Sequence, residues 1–216
     1  MNYKIINTGS DGNATVLNEI MLIDCGVSFK KLRDYYKELQ VVLLSHIHGD
    51  HFNKKTIQKL AFERPTLRFV CGEWLVQDLI DCDVQLKNIS AVEVGAKYDF
   101  GLFQIMPVQA YHDVPNIGYR IYWNDKKALY ITDTSTLQGI EAKGYDLYLV
   151  EANYETDELK RRIKEKRENG EFVYESRVEH THLSKEECDS FLIENASDYS
   201  LFEYMHKHKE KQHETA

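Results

Sequence analysis

Three imidazoles and one carboxylate lie within six positions of one another early in the chain. They are His46, His48, Asp50 and His51, and they follow the apolar run from Val41 to Leu44. That run has the length and aliphatic, β-branched composition of a buried strand, so the four side chains occupy the loop that follows it. His46 and His48 point to the same face of extended backbone and can reach one ion. Imidazole and carboxylate without thiolate are typical of a hydrolytic site for zinc, manganese or iron.

The pattern His46-x-His48-x-Asp50-His51 resembles the signature of the metallo-β-lactamase-fold hydrolases, and the resemblance extends from Asn7 to about Ser184. It implies an α/β chain folded as a four-layer αββα sandwich. It also implies two divalent transition-metal ions at one edge, with zinc as the first expectation and manganese as the second. Two ions about 3.5–4 Å apart lower the pKa of a bridging water and stabilise charge on the attacked group. Asp50 would then orient the hydroxide while it binds metal.

The resemblance implies three further ligands, which can be sought in order along the chain. His112 follows a β-rich stretch and precedes a Pro-containing turn, and Asp133 follows a strand-like segment as the candidate bridging carboxylate. His182, in the segment Thr181-His182-Leu183-Ser184, resembles the final ligand, with Ser184 as the N-cap of a helix. His180 competes with His182 for that role; if it is not a ligand, it is a candidate catalytic proton donor. The family's division puts His46, His48 and His112 on one ion and Asp50, His51 and His182 on the other, with Asp133 shared.

Three short segments resemble the bacterial YycJ (WalJ) type of this fold, which is associated with nuclease activity. They are Gly9 to Asn13, Leu22 to Gly26 and Glu151 to Asn153. The glycine-rich first segment either presents backbone N–H groups to an anion or forms an ordinary tight hairpin. Asp24 is either an orienting partner for a ligand imidazole or a turn residue. Val150 replaces the His of the transfer-RNA processing relatives, which disfavours that activity.

Composition predicts one domain over residues 1–205, followed by a charged, disordered tail over 206–216. The four cysteines are widely spaced, and no export signal or membrane-spanning run is visible, so we expect free thiols and a cytoplasmic location. Six basic residues between Lys160 and Arg167 form either a phosphate-binding strip or one face of a solvated helix, because glutamates lie four positions away.

The functional prediction is cleavage of phosphodiester bonds in DNA, RNA or a cyclic nucleotide. The expected partner is therefore a nucleic acid or nucleotide, and no association with a membrane is expected. The alternative is a hydrolase of small thioesters, lactones or β-lactams. However, the segment Tyr111-His112-Asp113 resembles the phosphodiesterases of this fold family more than those hydrolases. A third class, an idle metal-bound binding protein, is disfavoured because no predicted ligand is missing. The sequence leaves the oligomeric state open, a homodimer included.

Hydrophobic periodicity predicts a β-meander with interspersed helices. The expected strands are near Lys4–Ile6, Thr15–Val16, Met21–Ile23, Val41–Leu44, Arg68–Val70, Tyr98–His112 (as a hairpin), Tyr119–Trp123, Ala128–Ile131 and Tyr148–Val150. The expected helices are Phe29–Glu38, Asn53–Lys59, Trp74–Asp81, Thr156–Asn169 and Lys185–Asn195.

Overall fold

The computed structural model describes residues 1–207 and contains two six-stranded sheets. In spatial order, the first consists of β1 (Tyr3–Asn7), β2 (Ala14–Leu17), β3 (Met21–Ile23), β4 (Val41–Leu43), β5 (Arg68–Cys71) and β6 (Ile89–Ala91). The second consists of β12 (Leu201–Met205), β11 (Leu147–Glu151), β10 (Lys126–Ile131), β9 (Asn116–Trp123), β8 (Gln104–Ala110) and β7 (Tyr98–Asp99).

Both sheets change from antiparallel to parallel pairing along the chain. The strands from β1 to β3 pair antiparallel and those from β3 to β6 pair parallel. In the second sheet the change comes at β10, which pairs antiparallel with β9 and parallel with β11. β11 in turn pairs parallel with β12. Loops that follow parallel strands therefore gather at one edge of each sheet, which is where ligand sites form in such sheets.

The side chains of adjacent strand residues divide between an inner and an outer core, as the period of two requires. Met21 and Ile23 face the second sheet in the central core, whereas Leu22 faces the helices outside the first sheet. On the second sheet Tyr130 points inward and Ile131 points outward. Each sheet is thus buried on both faces, which explains the nearly continuous apolar runs of the central strands.

Helices cover the outer face of each sheet. Residues 1–207 contain five α-helices: α1 (Lys54–Glu63), α2 (Val76–Asp81), α3 (Thr156–Glu168), α4 (Glu175–Thr181) and α5 (Lys185–Asn195). α1 and α2 pack on the first sheet through Ile57, Leu60 and Leu79, and α5 packs on the second through Phe191 and Leu192. The predicted four-layer αββα sandwich is therefore confirmed. Ser184 and Glu187 form a capping box that starts α5, as the sequence predicted for Ser184.

The structure differs from the predicted elements in several places. The predicted helix over Phe29–Glu38 is wrong, since only Phe29–Leu32 forms a short 3₁₀ helix and turns follow it. The aspartate and two tyrosines after Arg33 are weak helix formers and do not extend it. β6, α4 and β12 were not predicted.

The predicted tail begins too early. His206 is buried, and its backbone N–H donates a hydrogen bond of 2.7 Å to Thr8 Oγ1. The rest of that tail, residues 208–216, lies outside the described residues. Within residues 1–207 no helix is both long and apolar enough to cross a membrane.

Candidate metal centre

The seven predicted ligands meet at one edge of the sandwich. Over residues 1–207, four overlapping groups of side chains each bring ligand atoms within 4.8 Å of one another. The groups are His46, His48 and His112; Asp50, His51 and His206; His46, His51 and Asp133; and Asp133, Glu151, His182 and His206. Their members come from the loops after β4, β8 and β10, the junction of α4 and α5, and the ends of β11 and β12, so both sheets contribute.

The first group contains His46, whose environment fits a metal ligand. Its side chain is fully buried, its Nδ1 lies 3.0 Å from Ser45 Oγ, and its Nε2 has no hydrogen-bond partner. An unpaired buried nitrogen is costly unless an ion or other group occupies the space before it. Burial, reinforced by the neighbouring His51, lowers the pKa of His46 well below its usual value, so the neutral ring keeps a lone pair for an ion.

His112 is oriented in the same way as many metal-bound histidines. Its Nδ1 donates to the carbonyl of Thr181 over 2.8 Å, and this fixes the tautomer and leaves Nε2 facing the group. That Nε2 lies 3.3 Å from Nδ1 of His48. These contacts bring the three predicted ligands of the first ion together.

The second group is built around His51, which is fully buried. Its Nε2 lies 2.8 Å from Asp133 Oδ2 and 3.7 Å from Asp50 Oδ2. Burial opposes protonation of the ring, yet the carboxylates of Asp133 and Asp24 outweigh it and hold the pKa of His51 well above its usual value. His206 completes the group, with its Nε2 at 3.2 Å from Asp50 Oδ2.

Asp133 lies between the two groups, in the place expected of a shared ligand. Its carboxylate is within 3.5 Å of both His182 Nδ1 and His206 Nε2, and 3.9 Å from His112 Nε2. The backbone φ of Asp133 is +53°, a left-handed conformation that aspartate tolerates better than most residues. Burial would raise the pKa of Asp133, but the charges on His51 and His206 dominate and hold it well below its usual value.

Asp24 is an orienting partner, which decides between the two interpretations that its sequence allowed. It is fully buried and accepts hydrogen bonds from His51 Nδ1 at 2.7 Å and Tyr130 Oη at 2.6 Å. Its other oxygen accepts from Ser45 N at 2.9 Å and Ser45 Oγ at 2.8 Å. The contact with Nδ1 turns the Nε2 atom of His51 toward the centre.

The glycine-rich turn from Gly9 to Asn13 supports the ligand loop. The Asn13 amide nitrogen lies 2.8 Å from His51 Nε2 and 3.2 Å from the Asp50 carbonyl. The backbone at Gly26 also lies directly against the ligand loop. A Cβ atom on Gly26 would lie 1.6 Å from the Asp50 carbonyl oxygen, so no larger residue fits there. Gly26 is therefore required for the loop to pack where it does.

His206 and Glu151 are members of the ligand groups that the sequence interpretation did not predict as site residues. Asn153 Nδ2 donates to the His206 carbonyl at 2.8 Å and lies 2.9 Å from its Nδ1, so both the backbone and the ring are fixed. A signal was present, because His206 directly follows the largely apolar segment Leu201–Met205, and His46 likewise comes soon after the run from Val41 to Leu44. A histidine that follows a strand is also the pattern that identified His46 and His112.

His182 occupies a different place from the one predicted. Its Nδ1 lies 2.6 Å from Glu151 Oε1, and its ring stacks on that of His206 with centroids 5.2 Å apart. It shares a group with Asp133 and Glu151, whereas His206 takes the predicted position beside Asp50 and His51. Burial, and then the charge of Asp133, raise the pKa of Glu151 well above its usual value.

His180 does not join the centre. It lies on the last turn of α4, its side chain is exposed, and none of the four ligand groups found over the described residues contains it. The geometry therefore favours His182 over His180 as the residue of this segment that takes part in the site.

The basic cluster of α3 has the contacts of a solvated helix. Arg161, Arg162 and Lys164 each pair with a glutamate four positions away on the same helix, at 3.6–3.9 Å. Such exposed pairs satisfy the positive charges locally, and each contributes only about 0.3–0.5 kcal/mol. The helix therefore does not require a polyanion to neutralise it.

A sequence search of curated proteins gives no match. Comparison with solved structures gives extensive matches at low identity. The metallo-β-lactamase fold protein YhfI from Bacillus subtilis has a TM-score of 0.73 at 19% identity, over 95% of this chain and 85% of that chain. Human tRNase Z, short form, has a TM-score of 0.68 at 14% identity, over 97% and 93% of the two chains. A diphosphatase from the PhnP family has a TM-score of 0.61 at 14% identity, over 95% and 85%.

These similarities establish the fold. The family itself is shown by sequence, because the family model described as Beta-lactamase superfamily domain matches residues 20–192, which is most of the chain. The match includes the loop after β4, His112, Asp133 and His182, and it ends before His206. The chain therefore belongs to the beta-lactamase superfamily, as the loop from His46 to His51 indicated.

Proposed function

We propose that this protein is a metal-dependent hydrolase that cleaves phosphodiester bonds of a nucleic acid or nucleotide. The observation that carries the proposal is the set of four overlapping imidazole and carboxylate groups around Asp133, with the buried His46 Nε2 lacking any partner. Two ions are proposed, zinc first and manganese second, because nitrogen and carboxylate ligands without thiolate suit both. All four cysteines are buried free thiols, which supports a cytoplasmic location as part of the proposal.

The candidate ligands can be assigned to two ions. His46, His48 and His112 would hold the first, Asp50, His51 and His206 the second, and Asp133 would contact both. Ions bound there would supply Lewis acidity and a water of lowered pKa. Contacts with Ser45, Asp24 and Thr181 already hold three of these imidazoles in place, those of His46, His51 and His112.

Two residues are proposed for the steps that involve protons. The Asp50 carboxylate lies at the second group and is partly exposed, so it can orient an incoming water while it binds metal. His182 replaces His180 as the proposed proton donor to the leaving oxygen. Its Nδ1 is held by Glu151 at 2.6 Å, which leaves its Nε2 for the transfer.

The phosphodiester class is supported by the relatives and by the segment Tyr111 to Asp113. Two of the similar structures are named as a tRNase and a diphosphatase, enzymes of phosphate chemistry. Processing of transfer RNA is still disfavoured because Val150, not a histidine, precedes Glu151 in β11. The segments Gly9 to Asn13 and Glu151 to Asn153 support a YycJ-type enzyme as the finer proposal.

One assay series tests the proposal. Protein reconstituted with zinc or with manganese is incubated with bis-p-nitrophenyl phosphate, linear DNA and RNA, cyclic nucleotides, thioesters and nitrocefin. We expect turnover of phosphodiesters that is lost on chelation and in His46→Ala and kept in His180→Ala, the matched control from outside the ligand groups. Turnover of thioesters or lactams with none of phosphodiesters would replace the proposal by its alternative.

A further inference from the structure

Helix α4 is attached to the metal centre by its last turn. The Thr181 carbonyl accepts the hydrogen bond from His112 Nδ1, and the His182 backbone N–H donates to the Val178 carbonyl at 3.0 Å. Arg177 lies one turn earlier, and its carbonyl accepts from Thr181 Oγ1 at 3.0 Å. Residues four positions apart share one face of a helix, so Arg177 lies on the side of α4 that faces the centre.

The guanidinium of Arg177 contacts a carboxylate beside the first ligand group. Its Nη2 donates to Asp113 Oδ2. The other Asp113 oxygen is 3.1 Å from His112 Nε2 and 3.4 Å from His48 Nε2. One carboxylate therefore separates the positive charge of Arg177 from the nitrogen atoms that would bind the first ion.

This is also where the centre opens to solvent. The His48 side chain is 36% exposed, whereas those of His46, His51 and Asp133 are almost completely buried. Arg177 is 70% exposed. His48, Asp113 and Arg177 therefore form an exposed rim beside the first ligand group.

Arg177 differs from most of the other cations of the segment that contains α3 and α4. Four of those cations pair with glutamates of the same segment: Arg161, Arg162, Lys164 and Lys166. Arg177 instead has Asp113 as its one side-chain partner within residues 1–207. A guanidinium has five N–H donors, so most of those of Arg177 remain free to bind a ligand at the rim.

We propose that Arg177 binds a nonbridging oxygen of the substrate phosphodiester and thereby selects anionic diesters over neutral esters and lactams. Guanidinium groups bind phosphate oxygens with short, charge-assisted and often paired hydrogen bonds. Asp113 holds the side chain at the rim before the substrate arrives and limits the entropy lost on binding. The inference rests on the proposed function and assigns a specificity-determining residue for it.

Binding of inorganic phosphate to the zinc-loaded protein, followed by calorimetry, tests the contact without turnover. Arg177→Gln should weaken phosphate binding roughly tenfold, as expected for one charge-assisted hydrogen bond. Arg177→Lys should fall between this variant and the wild type. Arg161→Gln is the matched control, because Arg161 is 68% exposed on α3 and pairs only with Glu165 among residues 1–207; it should bind phosphate like the wild type. Metal content and melting temperature should be unchanged in all three variants.

Kinetics then separate charge recognition from structural support. Arg177→Gln should raise KM for bis-p-nitrophenyl phosphate roughly tenfold with little change in kcat, because uniform binding is lost. A dinucleoside phosphate, as a competing ligand, should lose affinity to the same extent, whereas its uncharged methylphosphonate analogue should not.

Three outcomes would contradict either the role of Arg177 or the proposed function. Equal loss for the charged and uncharged ligands would mean that Arg177 only supports the structure. Wild-type phosphate binding and KM in Arg177→Gln, with phosphodiester turnover intact, would refute the role of Arg177 and leave the proposed function standing. A wild-type protein without phosphodiester turnover would refute the proposed function itself.

Discussion

Replacing Asp24 by asparagine should separate the folding role of the buried carboxylate from its role in metal binding. The substitution keeps the size of the side chain, and asparagine tolerates the backbone φ of +57° found at this position. One oxygen still accepts from Ser45, but an amide N–H₂ then faces the donors His51 Nδ1 and Tyr130 Oη, which lie 2.7 and 2.6 Å from Oδ2 in the wild type. Two hydrogen bonds to a charged group are lost.

Each such bond contributes about 1.5–3 kcal/mol, so the metal-free variant should lose about 3–6 kcal/mol of its free energy of unfolding. A domain of this size loses about 2–4 °C in melting temperature for each kcal/mol, so the expected decrease is roughly 6–24 °C. The second ion should bind about 10–100-fold more weakly, since the ring of His51 is no longer oriented. The first ion should be affected little.

Zinc titration against a chromophoric chelator, with thermal melts of metal-free and metal-loaded protein, measures both effects. Tyr130→Phe is the matched control, because it removes the other contact of the same carboxylate oxygen and leaves the bond to His51. It should lower stability while keeping the affinity for the second ion. If Asp24→Asn bound both ions as tightly as the wild type, the argument that Asp24 orients His51 would fail.

Three further predictions concern the ligands. Asp133→Ala should abolish hydrolysis and lower metal occupancy, because its carboxylate lies in two of the four groups; wild-type turnover by this variant would rule out a bridging role. His206→Ala should reduce bound metal from two ions toward one, whereas His182→Ala should keep both ions and slow the chemical step; elemental analysis with kinetics distinguishes this from the reverse assignment. In the metal-free protein the pKa of His51 is raised by Asp133 and Asp24 against the effect of burial, so zinc must displace its proton. Zinc affinity should therefore fall as pH falls, and calorimetry in buffers of different ionisation enthalpy should show proton release; binding independent of pH would contradict this.

Several ligands were predictable because each follows a recognisable strand. The apolar run before His46 and the segment before Asp133 form central strands of the two different sheets, and the residues that follow them meet in one ligand group. His206 follows a strand too, but β12 is an edge strand whose residues Leu201 and Phe202 are exposed. The hydrophobic pattern of β12 is therefore weak, and the charged residues that follow it in the sequence indicated a tail.

Other features depend on contacts that a single segment does not encode. Helix α4 buries only Glu175, so it lacks the apolar stripe by which amphipathic helices are recognised. The role of Asp24 depends on His51, which is distant in the chain and close only after folding. The sequence left two interpretations of Asp24 open, and tertiary packing decided between them.

The wide separation in sequence between the residues of the second group sets the order of events during synthesis. Asp50 and His51 precede most of the chain, while His206 directly follows the last strand and is tied to Thr8 near the beginning. Because translation delivers the amino-terminal residues first, the emerging chain can assemble the imidazoles of the first group before those of the second are all present. Under the proposed assignment, a chain that has not yet added β12 to the sheet would lack His206 and with it one of the three side chains of the second group.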